Sequence, residues 1–508
     1  MRVPAARSAA VAGPLFAFVG SGCLLVVELV AARLIAPTLG VSLYTWTSVI
    51  GVVLGGVSVG NYIGGRLADR RPSYATLAAI YLVAAGTVLL VLGLLPHLDA
   101  IELPTSAPAL IQVLWATAVL FLLPSIALGA PTPLLTRLSL GSVEETGRVV
   151  GRIQGAAALG SIVGTFATGF FLIEWFGTRD IVAGVAAILL ILAALAWGPS
   201  GLRIALLIPL LTVVAGAGWA SHSPCTKESA YYCIRVVPGI QSVTTPQGRK
   251  INFEAPIQDL YLDHLLHSEV DLTNQTHIFY GYQTLYAEVL EGLLPPGNEL
   301  DSFFIGGGGY VFPRWVEANY TGRITVAEID PDVTKIAYQQ LGLQPSPRLR
   351  NITGDARQVL ASEPSTTTYS AIFGDAFDDY GVPFELTTRQ FDQLVSAHLK
   401  PDGVYLLNIV DGVHYDFLRS ELRTLRLTFP YVGLLAQKGD WPLRGRRVTL
   451  VIVAAKSKPA RRLPTVAQSQ LDHFISNGHS VVLTDDYAPV DQLLAPVFAQ
   501  ELHTVGEG

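Results

Sequence analysis

Cysteine and methionine are almost missing: 508 residues carry three of the first and one of the second. So few thiols exclude a disulfide-framework protein, and their positions exclude the Cys-x-x-Cys spacing of zinc ribbons and thioredoxin-like sites. The ten histidines form no His-x-x-x-His pair, so no metal is expected. Charge is scarce as well. Only 15% of residues are charged and the net charge is −6, with no basic cluster interleaved with aromatics to give a nucleic acid a footing. No lysine precedes Lys227, and no Gly-x-Ser-x-Gly elbow appears anywhere.

What fills the space is apolar. Half of the chain is hydrophobic, and the long runs crowd residues 9 to 220. A bilayer core needs about 20 apolar residues per helix, and about seven runs meet that length: 9–36, 42–65, 74–95, 108–129, 152–173, 180–198 and 203–220. The first is too long for a signal peptide's apolar region and lacks a good cleavage site, so it is expected to stay. Gly151, Gly155, Gly160 and Gly164 give a small-residue face suited to close helix packing. The expected setting is a plasma (inner) membrane, crossed several times, with the lipid bilayer as a partner.

Arginine placement sets the expected orientation, because cytoplasmic loops collect positive charge. Seven spans put Arg2, Arg7, Arg66, Arg70, Arg71, Arg137, Arg148, Arg152 and Arg203 on one side, and only Arg33 and Arg179 on the other. The amino terminus is then cytoplasmic and the part beyond residue 222 extracytoplasmic. Cys225 and Cys233, spaced for a small loop, are a disulfide candidate in keeping with an oxidising compartment.

Beyond the membrane half, residues 229–272 alternate or run β-branched between Pro and Gly turns, which reads as a small antiparallel sheet. The stretch from 301 to 381 follows. Asp301–Ile305 is a buried strand running into Gly306–Gly309; a second strand ends at Glu328; Gly354-Asp355-Ala356 follows a third; a fourth ends at Asp375, ahead of Asp378 and Gly381. Glycines after a first strand let backbone approach a nucleoside, and an acid about 20 residues on can hold ribose hydroxyls. Gly306, Gly308, Glu328, Asp355 and Asp375 are therefore expected around one crevice at the carboxyl ends of a doubly wound sheet.

The stretch resembles the spermidine synthase family, the polyamine aminopropyltransferases. After the fourth strand that family reads Asp-Ser-x-Asp-Pro-x-Gly-x-x-x-x-Leu, and Asp375, Asp378, Gly381 and Leu386 fall in register. Tyr286-Ala-Glu288 resembles the family's Tyr-His-Glu, and Leu262-Asp263 its Leu-Asp-Gly turn. The resemblance spans roughly residues 230 to 455. For that span it implies an α/β, methyltransferase-like (Rossmann-type) doubly wound domain preceded by a small antiparallel β domain, fused here to the α-helical membrane domain that the apolar runs predict. The expected boundaries are 1–222, 223–275, 276–460 and a tail at 461–508.

The resemblance also implies roles. Decarboxylated S-adenosylmethionine, or S-adenosylmethionine itself, would be the co-substrate, with Gly306, Gly308 and Glu328 at the ribose end and Asp355-Ala356 near the adenine. Asp375 would be the catalytic base, and Asp378, Tyr280 and Tyr286 would bind a polyamine or other small amine, with a homodimer also open. Two departures stand out. The family's glycine loop carries an acid where this chain has Gly309, and acids that precede its Tyr-His-Glu are here Tyr282 and Gln283. Two other readings stand beside this one: a methyltransferase, which Gly309 favours, or a non-catalytic polyamine-binding or transport protein, which the long membrane part favours. An extracytoplasmic domain also conflicts with a cytoplasmic donor.

Overall fold

The computed structural model describes residues 4–40, 43–101, 109–198, 223–244, 250–376 and 381–504. The chain divides into two compact units, Met1–Cys233 and Ile234–Gly508.

In the first unit, six described helices are long and apolar enough to cross a membrane: Ala12–Leu39, Tyr44–Arg70, Tyr74–Leu98, Ile111–Ser139, Val143–Leu172 and Thr178–Trp197. The seventh expected run, 203–220, lies outside the described residues. Large apolar side chains such as Leu159, Ile162, Val163 and Phe166 point outward from the fifth of these, a placement suited to lipid and unfavourable in water. Close crossings depend on missing side chains. A Cβ on Gly160 would lie 1.9 Å from the Phe18 carbonyl oxygen, and one on Gly60 would lie 2.2 Å from that of Ile126. Gly164 similarly abuts Gly22, whereas Gly151 and Gly155 face open space, so only half of the expected glycine face is used.

After the last described span, Cys225 and Cys233 are joined as a disulfide across a Cα–Cα distance of 5.2 Å. Arg33 donates to the carbonyls of Ser229 and Ala230 at 2.5 and 2.7 Å, and Glu228 accepts from the Thr178 amide at 2.6 Å. The middle of the loop is thus held by Arg33 and the Thr178 amide.

A two-residue strand β1 (Lys227–Glu228) lies within the disulfide loop, and the second unit opens with antiparallel strands β2 (Cys233–Thr244), β3 (Lys250–Leu262) and β4 (Leu265–Asp271). Asp263, at φ +53°, helps turn β3 into β4. Leu260 pairs with Ser268 but Tyr261 with Leu266, so His267 is the extra residue of a β-bulge.

A seven-stranded sheet follows, in the order β10-β11-β9-β8-β5-β6-β7. Its strands are β5 (Ser302–Ile305), β6 (Ile324–Glu328), β7 (Leu349–Thr353), β8 (Tyr369–Gly374), β9 (Leu399–Asp411), β10 (Tyr431–Leu435) and β11 (Val448–Ala455). The five from β7 to β9 run parallel, and β11 and β10 add an antiparallel edge. Between β5 and β8 the chain reverses its direction of winding, which is where open α/β sheets leave a crevice. Phe303, Ile372 and Phe391 are fully buried beneath it, and helices Gln468–Ser476 and Val490–Thr504 add Leu471, Leu493 and Leu494 to the same core.

That core holds two acids. Asp392, on helix Arg389–His398, and Glu421, on helix Asp416–Leu425, are 0% and 1% exposed, and none of their carboxyl oxygens has a hydrogen-bond partner. Burial pushes Glu421 up to about 8, and burial together with Glu421 holds Asp392 well above the carboxylate range. An acid whose folded pKa is raised stabilises the fold fully below its unfolded value and loses that contribution as pH rises through the folded one. Thermal melts should therefore show stability falling between about pH 4 and about pH 8. Glu421→Gln should flatten the decline; an unchanged slope would remove this pair as its cause.

Candidate active site

The site is assembled at the ends of β5, β6 and β8. Gly306 turns the chain out of β5 at φ +92°, and a Cβ there would sit 2.5 Å from the Asp375 carbonyl oxygen. Any side chain would force the two strand ends apart. From the end of β6, Glu328, 6% exposed, accepts from the amides of Gly307 and Gly308 at 2.7 and 3.3 Å through Oε2 and from Asp330 at 3.0 Å through Oε1. Burial raises its pKa, and those amides oppose the rise.

Asp375, just past β8, is gripped from two sides. Tyr282 donates its hydroxyl to Oδ2 at 2.7 Å, and Asn408 of β9 donates Nδ2 to Oδ1 at 2.9 Å. Burial raises the Asp375 pKa, and these two bonds limit the rise. A carboxylate whose pKa is raised in this way is a better proton acceptor than one in open water. Tyr282 is itself held far above the usual phenol range, by burial and then by the Asp375 charge, so it remains a donor. Helix Gly281–Leu293 supplies Tyr282, Gln283 and Tyr286; the Tyr286 hydroxyl reaches the Gly374 carbonyl at 3.2 Å. Tyr280 caps that helix and donates to the Leu266 carbonyl at 3.3 Å.

These residues enclose a cavity of about 140 Å³ between the glycine loop, β4 and the Tyr282 helix. Gly306, Gly308, Tyr280, Tyr286 and Asp375 all line it. Glu328 reaches it through the Gly307 and Gly308 amides. Asp355 instead caps helix Ala356–Ser362, accepting from the Gln358 amide at 2.8 Å, and neither it nor the buried Ala356 is part of the wall. Asp378 lies outside the described residues.

The wall also contains Asn408, His267 and Ser268, which sequence reasoning passed over. Asn408 sits in an apolar strand, where a lone amide was the one available signal. His267 and Ser268 carried none, because only the bulge turns this part of β4 to the loop. Ser268 explains the glycine at the acid position: it accepts from the Gly309 amide at 3.0 Å, and a Cβ on Gly309 would meet its Cβ at 2.6 Å and Val270 at 2.9 Å. The hairpin occupies the space that an acid would need.

A sheet with this strand order, a glycine turn after its first parallel strand and an acid closing the second defines the methyltransferase-like class of Rossmann folds. No family model matches the chain. It is 34% identical over 200 residues to a polyamine aminopropyltransferase of Vibrio vulnificus, a match covering 37% of this chain and 67% of that protein. To a polyamine aminopropyltransferase of Corynebacterium efficiens it is 27% identical over 343 residues, covering 61% of this chain and 62% of that protein's length. Among solved structures, a probable spermidine synthase from Corynebacterium glutamicum aligns over 50% of this chain and 95% of its own at 18% identity and TM-score 0.42. The spermidine synthase of Thermotoga maritima aligns over 55% and 89% at 16% identity and TM-score 0.31. The chain belongs to the polyamine aminopropyltransferase family.

Gly309→Asp should lower thermal stability, by an overpacking cost of about 1–3 kcal/mol, and Ser268→Gly in the same chain should recover part of it. A Gly309→Asp protein that melts like the wild type would show that the hairpin does not close this position.

Proposed function

We propose that the chain is a membrane-bound aminopropyltransferase, moving an aminopropyl group from decarboxylated S-adenosylmethionine to a polyamine or other small amine. The observation that carries this reading is the Asp375 carboxylate, fixed by Tyr282 and Asn408 on a cavity beside the glycine loop. The cavity is smaller than the roughly 300–1,000 Å³ typical of small-molecule sites, which suits an amine. The donor extends past it along Gly306 and Gly308, its ribose hydroxyls taken by Glu328 and its adenine near Asp355-Ala356.

The acceptor ammonium gives a proton to Asp375, and the freed nitrogen lone pair attacks the carbon next to the sulfonium. The C–N bond forms as the C–S bond breaks, and the electron pair leaves on sulfur as the neutral thioether methylthioadenosine. Positioning and a general base are what the protein must supply. Asp378, Tyr280 and Tyr286 complete the amine side. The closed position at Gly309 favours a second reading, a methyltransferase acting with S-adenosylmethionine, whose product would be S-adenosylhomocysteine. A binding or transport protein would yield neither product.

Asp375→Asn should abolish methylthioadenosine release while leaving donor binding in place, and Glu328→Ala should weaken the donor by about 1–3 kcal/mol. One incubation with both donors and several amines, followed by product analysis, checks this; no methylthioadenosine under any condition sinks the transfer reading. The arginine distribution and the Cys225–Cys233 disulfide support an extracytoplasmic soluble unit. A reporter fused at Ala230 should report the outside, and a cytoplasmic signal would reverse that orientation and place the site with its donor.

A further inference from the structure

The helical unit holds a groove of its own. It has a volume of about 870 Å³ and is walled by the second, third and fourth spans. The second and third both pack on the fourth. Gly64 lets the second press close, since a Cβ there would lie 2.2 Å from the Ala130 carbonyl oxygen. Ala127 and Ala130 of the fourth span then form a floor of small, buried side chains that leaves depth above them.

Polarity is confined to one end of the groove. Arg71, Ser73 and Thr76 stand there, where the second span turns into the third. Ser73 and Thr76 share a hydrogen bond at 2.9 Å. The Arg71 side chain is exposed and makes no hydrogen bond or ion pair among the described residues. Asp69, the nearest acid in sequence, does not line the groove, and neither does any other carboxylate among the described residues. Beyond Thr76 the third span presents Ala79, Ile80 and Val83 on one helical face. At the far end the Thr87 hydroxyl is spent on the Val83 and Ala84 carbonyls, both at 3.0 Å.

Length then decides what fits. From Thr76 to Thr87 the helix rises about 16 Å, at roughly 1.5 Å per residue. That is close to half of a hydrocarbon core about 30 Å thick. A partner helix would need the full thickness, whereas a groove one leaflet deep with a cation at its mouth matches a lipid tail and its headgroup. A guanidinium is suited to phosphate because its fork of N–H donors meets two oxygens at once.

We propose that this groove binds an anionic phospholipid, with an acyl chain along the third span and the phosphate on Arg71. On the orientation proposed above, the mouth faces the cytoplasmic leaflet, whose surface is negatively charged by anionic lipid. The site rests on the helical unit being embedded in a bilayer and is independent of the chemistry of the second unit.

The test is native mass spectrometry of the full-length chain, delipidated in detergent and titrated with phosphatidylglycerol and phosphatidylcholine of equal chain length. Wild type should bind its first phosphatidylglycerol at least about tenfold more tightly than phosphatidylcholine. Arg71→Gln should remove that preference, and Ala79→Phe, which fills the groove, should weaken both lipids. Both positions are exposed, so neither change disturbs packing. Arg137→Gln, an exposed cation away from the groove, should leave the preference in place. Equal affinity for the two lipids, a preference unmoved by Arg71→Gln, or binding unmoved by Ala79→Phe would each overturn the site. Release of the chain from membranes by alkaline carbonate would overturn the membrane placement and the site with it; a retained chain without the preference overturns the site alone.

Discussion

The contact between the Gly306 backbone and the Asp375 carbonyl is the constraint on which the soluble unit turns. It lies at the β5–β8 split, and it forces the glycine loop and the base onto one edge of the sheet. The Glu328 carboxylate then ties β6 to the same loop through the Gly307 and Gly308 amides. Three strand ends are thus fastened together, two by backbone contact and the third through one carboxylate. The position of Asp375 is therefore set by backbone geometry, and its proton affinity is set separately, by Tyr282 and Asn408.

Much of this was legible in the sequence because strands are short apolar words and their ends carry the polar letters. The glycine turn, Glu328 and Asp375 fall where the spacing put them, and the family likeness follows from the same residues. Asp355 caps a helix, and neither it nor Ala356 lines the small cavity. A capping acid and a ligand-binding acid look alike in one dimension. The doubly wound sheet carries an antiparallel edge made by β10 and β11, which a list of strands cannot reveal because direction depends on which strand is the neighbour. His267 and Ser268 were invisible for a related reason. Their place at the loop comes from a register shift between β3 and β4, and register is a property of two segments together.

The membrane half shows the opposite balance. Length and hydropathy mark its helices, because a bilayer imposes one dimension on them. Their packing is less readable: of four glycines at similar spacing, two meet a neighbouring backbone and two meet nothing. Arg33, counted as a topological marker, is committed to two main-chain carbonyls beside the disulfide loop, so a charge that reads as a signal in sequence is also a structural fastening.

The bulge at His267 has a consequence for how such a site changes over generations. A bulge is one residue added to one strand, so loss of that single residue would restore an unbroken ladder between β3 and β4 while the turn at Asp263 stayed as it is. The hairpin could thus gain or lose an imidazole over the cavity by a one-codon insertion or deletion, leaving the doubly wound sheet and its glycine turn untouched. Within one scaffold, the chemistry facing the ligand can drift on the hairpin while the machinery beneath it is inherited unaltered.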